Sequence, residues 1–187
     1  MKLLKGNLHA HTTFSDGVRS PTGLVAAYES RGYDFLAITD HEGWVPEGYW
    51  QALAALRSTL LVLKGIELNY EPLSQHVGLV QGDREVLHVL NHPARYHLSV
   101  QDTCRRIEII RRDGLPIDAL EVTDTGHYRP EYDSDLIPVP KVATDDAHRE
   151  PHFGRAWIEV EAVLEADAII RAIKAGDFQL GFARPAS

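Results

Sequence analysis

Short apolar runs rich in β-branched residues recur along this chain, and a histidine or a carboxylate stands beside nearly every one. The runs cover residues 3–8, 35–39, 60–66, 76–80, 86–90, 117–122, 139–143 and 157–160, each of strand length. Asn7-Leu8-His9-Ala10-His11 closes the first, with Asp16 after it; Thr39-Asp40-His41 closes the second and Gly65-Ile66-Glu67 the third. His76 opens the fourth, Asn91-His92-Pro93 follows the fifth, Glu121 stands in the sixth, and the seventh runs into Thr144-Asp145-Asp146-Ala147-His148. One such residue at a strand end is commonplace. Its repetition down the chain places a single site at one end of a sheet, the end from which catalytic side chains of β/α barrels project.

Helical stretches separate several of the runs. One spans 21–31, with Ser20 as cap, Pro21 in the first turn and Gly32 as the stop. A second spans 100–112, capped by Ser99 or Asp102 and closed by Gly114; a third, 165–174, ends at Gly176; a shorter one covers 49–57. Alternation of this kind predicts parallel strands with helices outside them. Several runs lie too close for a helix between them, so the expected fold is a compact, irregular α/β barrel in one domain over residues 1–187.

Composition removes several functions. The charged residues, 19 basic against 27 acidic, leave a net charge of −8, so phosphate backbones gain the protein little through counterion release and no strong nucleic-acid signal is present. The single cysteine, Cys104, excludes an internal disulfide and a cysteine-built zinc cage. No apolar run approaches the ~18 residues of a membrane span, and the start lacks a secretory core, so a cytoplasmic protein is expected.

The ten histidines carry the chemical argument. In extended chain, residues i and i+2 share a face, so His9 converges with His11 and Asp146 with His148, while Asp40 and Asp145 point the other way and serve as supporting or structural groups. Imidazole nitrogen and carboxylate oxygen suit Zn²⁺, Mn²⁺ or Fe²⁺. About four ligands satisfy one zinc ion; a larger set predicts two or three divalent ions. Clustered ions point to hydrolysis, because they acidify a water and clamp phosphoryl oxygens.

Taken together, His9-Ala10-His11-Thr12-Thr13-Phe14-Ser15-Asp16-Gly17, Thr39-Asp40-His41, Gly65-Ile66-Glu67, Asn91-His92-Pro93 and Asp146-Ala147-His148 resemble the successive motifs of the PHP family, the polymerase and histidinol phosphatase domains. The order matches from about residue 5 to residue 160, and the ending from Gly154 to Gly176 is similar to that of small stand-alone members. The resemblance implies a distorted seven-stranded, TIM-like β/α barrel with up to three divalent ions at its C-terminal mouth. It implies His9, His11, Asp16, His41, Glu67, His76, His92, Asp146 and His148 as metal ligands, with Glu67 bridging two ions. Catalytic work falls to Asp146, His148 and Glu67.

Outside that set, Arg95 and Arg19 are candidate phosphate contacts, since guanidinium grips phosphate in bidentate fashion, and His127 is a loop candidate beside Arg129. Glu121 stays open between a partner of the ligands and a buried structural acid. His88 reads as a core histidine, and His97 and His152 as loop residues. The expected function is phosphoester hydrolysis, of a monoester or diester, on a small phosphate-containing substrate. Two rivals stand beside it: hydrolysis of an amide or ester by the same ions, and a non-catalytic metal-binding domain.

Overall fold

The computed structural model describes residues 2–183. In chain order the elements are β1 (Lys2–Asn7), α1 (Pro21–Glu29), β2 (Phe35–Ile38), α2 (Tyr49–Ala54), β3 (Leu61–Tyr70), β4 (Gln75–Gln81), β5 (Val86–Leu90) and α3 (Val100–Arg112). There follow β6 (Ala119–Glu121), β7 (Thr123–Asp124), β8 (His127–Tyr128), β9 (Lys141–Val142), β10 (Ala156–Ala162), α4 (Ala166–Ala175) and β11 (Phe178–Phe182). The helices start where their caps stand: the Ser20 and Ser99 side chains accept from the backbone N–H of Gly23 and Asp102.

Nine strands form one sheet in the order β11-β10-β1-β2-β3-β4-β5-β6-β9, with β7 and β8 as a separate hairpin. The stretch β1-β2-β3 is parallel, β3-β4-β5 is a pair of antiparallel hairpins, and β5-β6-β9 is parallel again. Past β9 the chain returns to β1, where Ala10 and Ala147 form a parallel bridge and the His11 N–H donates to the Ala147 carbonyl at 2.9 Å. Seven strands, β1 to β6 with β9, therefore make the barrel wall. The expected count of seven describes that wall but not the sheet, because β10 and β11 extend it. Antiparallel β10 occupies the free edge of β1 over Lys2–Gly6, which leaves the ring to close only beyond Asn7.

β11 was not expected from the sequence. Its apolar side chains fall at Phe178, Leu180 and Phe182, a period-two pattern only five residues long. Gly181 within it faces Trp157: a Cβ there would lie 2.0 Å from the indole nitrogen, so the close approach of the ring requires glycine.

Apolar packing lies on both sides of the wall. One cluster joins Leu4, Phe35, Leu63, Val80, Leu87 and Val89 to Ile169, Ile170 and Ile173 of α4. A second seats α1 and α2 through Leu24, Tyr28, Tyr49 and Leu53. The third seats α3 through Ile107 and Ile110 on Leu90, Leu120 and Val122. These buried side chains hold the barrel shut; each is worth about 1.5–3 kcal/mol when fully buried. Among the described residues, no helix is long and apolar enough to cross a membrane.

Candidate metal centre

All nine candidate ligands converge at one end of the barrel. Among the described residues they make four overlapping groups: His11, Asp16, His41 and His148; His9, Glu67 and His92; His9, His11 and Asp146; His41, Glu67 and His76. Within each group, one donor atom per residue lies within 4.8 Å of the others. The topology explains the one ligand that stands at a strand's start. β4 runs antiparallel to β3, with His76 opposite Asn69, so its beginning lies at the mouth where the parallel strands end.

Glu67 stands at the middle. Its Oε1 lies 3.1 Å from His92 Nε2 and 3.2 Å from both His9 Nε2 and His76 Nδ1. Its Oε2 lies 2.9 Å from His41 Nδ1 and 3.6 Å from His11 Nε2. Asp146 Oδ1 is 3.4 Å from Nε2 of both His9 and His11, whose own Nε2 atoms approach to 3.0 Å. Asp16 faces His41 and His148 at 3.3 Å each.

This chemistry fits divalent cations. Buried polar atoms are nearly always hydrogen-bonded, yet Glu67 Oε2, Asp146 Oδ1 and His76 Nδ1 are buried without such a bond. The nearby ring nitrogens are close but not aligned to donate. A cation gathers several donor atoms around itself, and each of these residues belongs to a group whose donor atoms lie within 4.8 Å of one another. His92 (φ +29°) and Asp146 (φ +44°) also hold left-handed backbone. Such conformations cost about 1–3 kcal/mol and gather at functional sites.

Three carboxylates among six imidazoles set the charge balance. Burial opposes ionisation throughout, but the opposite charges prevail for most groups. His9 is held well above the usual imidazole value by Glu121, Glu67 and Asp146. Burial works against His41 too, yet Asp16 and Glu67 push it up to about 9. Glu67 and Asp146 are held well below the carboxylate range by His9 and its neighbours despite their burial. His11 goes the other way, lowered chiefly by burial.

A pH dependence follows. Imidazole protons must leave before a cation binds, so affinity falls as pH falls, about tenfold per pH unit for each proton displaced. The metal-free protein slopes oppositely. His41 is raised in the fold, so its stabilisation is complete below an unfolded value of about 6.5 and is lost as pH climbs to about 9. We expect the metal-free Tm to fall across that window while metal affinity rises. Thermal melts and metal titrations at several pH values decide it; affinity flat with pH would refute proton displacement.

The supporting residues are equally specific. Glu121 accepts from His9 Nδ1 at 2.7 Å, from the Thr144 hydroxyl at 2.6 Å and from the His92 N–H at 2.8 Å. It is thus a hydrogen-bond partner of the candidate ligands His9 and His92, one of the two alternatives that sequence left open. Asn91, part of a recognised motif but given no role, donates to Glu67 Oε1 at 2.8 Å. Asp40 accepts from the Thr12 N–H and the Thr12 and Ser15 hydroxyls. Asp145 accepts from Tyr28 and the backbone of Gly154, Arg155 and Ala156. Both are the supporting groups their parity predicted. Gly17 lets this loop fold back, since a Cβ would sit 2.2 Å from the His11 carbonyl oxygen.

The three candidate substrate contacts separate. Arg95 reaches the cluster: its guanidinium pairs with Asp146 Oδ2 and, at 3.2 Å, with Asp124. Arg19 pairs instead with Glu150 on the surface, and exposed His127 lies 3.3 Å from Arg155. His88 sits beside Asp118 at 3.6 Å, outside the ligand groups.

Comparison with known proteins follows the same lines. The family model described as PHP domain matches residues 7–137. The 5′-3′ exoribonuclease of Haemophilus influenzae is 26% identical over 182 residues, covering 86% of this chain and 64% of that protein. DNA polymerase/3′-5′ exonuclease PolX of Bacillus subtilis is 35% identical over 82 residues, 37% of this chain and 14% of that protein. A two-domain protein of Bacteroides vulgatus, described as containing a predicted PHP-like metal-dependent phosphoesterase, superposes with a TM-score of 0.71 at 20% identity. That match covers 97% of this chain and 65% of the other. The chain therefore spans less than two thirds of each of these three proteins.

Proposed function

The chain belongs to the PHP domain family, and from that premise we propose that it is a metal-dependent phosphoesterase, with residues 1–187 acting as one hydrolase domain. The observation that carries the reading is the central carboxylate of Glu67, buried and set between two groups of imidazoles, with one oxygen lacking any hydrogen bond. His9, His11, Asp16, His41, Glu67, His76, His92, Asp146 and His148 would hold two or three divalent ions, of Zn²⁺, Mn²⁺ or Fe²⁺ type. When bound, such ions lower the pKa of a water and offset negative charge on a phosphoryl group.

The protein's own groups do the rest. Arg95, at the edge of the cluster, binds a nonbridging phosphoryl oxygen and holds phosphorus against the site. The two oxygens of Asp146 face differently, Oδ1 toward His9 and His11 and Oδ2 toward Arg95. Asp146, which sits between the cluster and Arg95, or a neighbouring histidine would manage the proton of the nucleophile or of the leaving group. His148 and Asp16 complete the outer side of the cluster, and Arg19 and His127 stay at the rim.

The test is a panel assay. Protein stripped by chelator and reloaded with each metal should hydrolyse phosphomonoesters or phosphodiesters and lose that activity when stripped again. Metal-loaded protein that is inert on phosphoesters but cleaves carboxyl esters or amides would transfer the reading to the carbonyl rival.

A further inference from the structure

Two of the candidate ligands are oriented by different means. His9 donates through Nδ1 to Glu121 at 2.7 Å, the kind of hydrogen bond that fixes most ligating imidazoles. His92 has no such anchor: its Nε2 lies 3.1 Å from Glu67 Oε1, and its Nδ1 is buried without a hydrogen-bond partner. What its ring meets is another ring. Tyr96 stacks on His92, centroids 5.7 Å apart and planes 28° from parallel, and stands edge-on to His76 at 6.3 Å. The Tyr96 hydroxyl also accepts from the His76 N–H at 3.1 Å.

Tyr96 is itself held from outside the site. It ends the short 3₁₀ turn Pro93–Tyr96, which lies between the left-handed residues His92 and His97. The guanidinium of Arg106 stands over its ring, 5.4 Å from the centroid. Arg106 follows Thr103 by three residues and precedes Ile110 by four, so it shares the buried stripe of α3. An aliphatic side chain would seat the helix there, and burial pushes the guanidinium pKa down, so packing alone does not account for the charge. Its Nη1 donates to Gln75 Oε1 at 2.9 Å. The buried Gln75 amide in turn donates to the His76 carbonyl at 2.8 Å and the Asn91 carbonyl at 2.9 Å. One side chain of α3 thus grips both the ring that faces His92 and His76 and the amide that ties their two strands together.

We infer that Tyr96, fixed by Arg106, is the positioning residue that aligns His92 and His76 on Glu67 Oε1. Both imidazoles face that oxygen, whereas His41 and His11 lie toward Oε2. Through Tyr96, α3 therefore sets the affinity of one cation of the cluster and not of the others. The inference rests on the metal-centre reading and deepens it, giving a role to two residues outside the ligand set.

The experiment titrates chelator-stripped wild type, Tyr96→Leu, Tyr96→Phe, Arg106→Met and the Tyr96→Leu/Arg106→Met double variant with Co²⁺. Visible absorption follows the binding, and melts of the metal-free forms are recorded alongside. Tyr96→Leu should weaken one equivalent of Co²⁺ by about ten- to a hundredfold and alter its absorption band, while the remaining equivalents keep wild-type affinity. Phenylalanine keeps the stack and should retain most of the affinity. Arg106→Met keeps bulk on α3 yet should weaken the same equivalent. The double variant should be no weaker than Tyr96→Leu, because both changes act through one ring. Unchanged Co²⁺ binding with a lowered Tm, uniform weakening of every equivalent, or additive losses in the double variant would overturn the inference. Should Tyr96→Leu fail to fold, Arg106→Met decides alone, and wild-type binding by it has the same force. Wild type that takes up no Co²⁺ would instead overturn the metal-centre reading itself.

Discussion

Glu67→Gln will leave the purified protein short of more than one equivalent of divalent metal and will depress hydrolysis by at least about a hundredfold. His92→Ala will lose about one equivalent. The difference lies in the donor atoms. An imidazole nitrogen serves one cation, whereas a carboxylate has two oxygens and can serve two. In Glu67 those oxygens face different partners: Oε1 meets His9, His76 and His92, and Oε2 meets His41 and His11. Cations about 3.5–4 Å apart repel each other unless an anion lies between them. Glutamine keeps the shape but removes the charge and replaces one donor oxygen with an amide that cannot coordinate. Folding should survive, because Glu67 touches the site and not the apolar clusters. Elemental analysis of the purified variants, with melts recorded in parallel, gives the answer. A Glu67→Gln protein that keeps its full metal complement and its activity would disprove the bridging role.

Glu121→Ala is the second large effect, and it acts on stability as much as on metal. Removing this carboxylate leaves three buried donors without a partner: His9 Nδ1, the Thr144 hydroxyl and the His92 N–H. Each orphaned group costs about 1–3 kcal/mol, so a total of about 3–9 kcal/mol is expected, a large part of the stability of an ordinary domain. Glu121→Gln separates the two roles. Its amide oxygen can face His9 and Thr144 or it can face the His92 N–H, but not both. In the second orientation the amide donates to His9 Nδ1, which moves the ring proton to Nε2 and blocks the nitrogen that faces Glu67 and Asp146. Metal affinity should therefore fall about ten- to a hundredfold, with a much smaller drop in Tm than for alanine. Denaturant titration and metal titration of both variants test this. A Glu121→Gln protein with wild-type affinity would show that Glu121 fills space without setting the His9 tautomer.

Part of this site was legible in one dimension because two pairs of its candidate ligands are local. His9 and His11 share a face by strand parity, as do Asp146 and His148, and both pairs end runs whose apolar pattern marks them as strands. The same parity assigned Asp40 and Asp145 to the opposite face, where each is held by backbone and hydroxyl donors. Residue types and their order were thus enough for the barrel class and for the candidate side chains that gather at its mouth.

Other features depend on which strand lies beside which, and a one-dimensional pattern does not contain that. His76 stands at the start of a strand and joins the site only because β4 turns back against β3. The role of Glu121 rests on β6 lying parallel to β5, which sets its carboxylate between His92 and the ring of His9. Asn91 gained a partner only when Glu67, 24 residues earlier, proved to be within reach. Arg95 and Arg19 were equivalent candidates by residue type; the fold sends one guanidinium to Asp146 and the other to a surface glutamate. Local chemistry, which is a property of residues and their near neighbours, was therefore determined by the sequence alone. Tertiary structure decided which of those residues meet, because contacts between distant segments depend on strand order and direction, and neither is encoded at any single position.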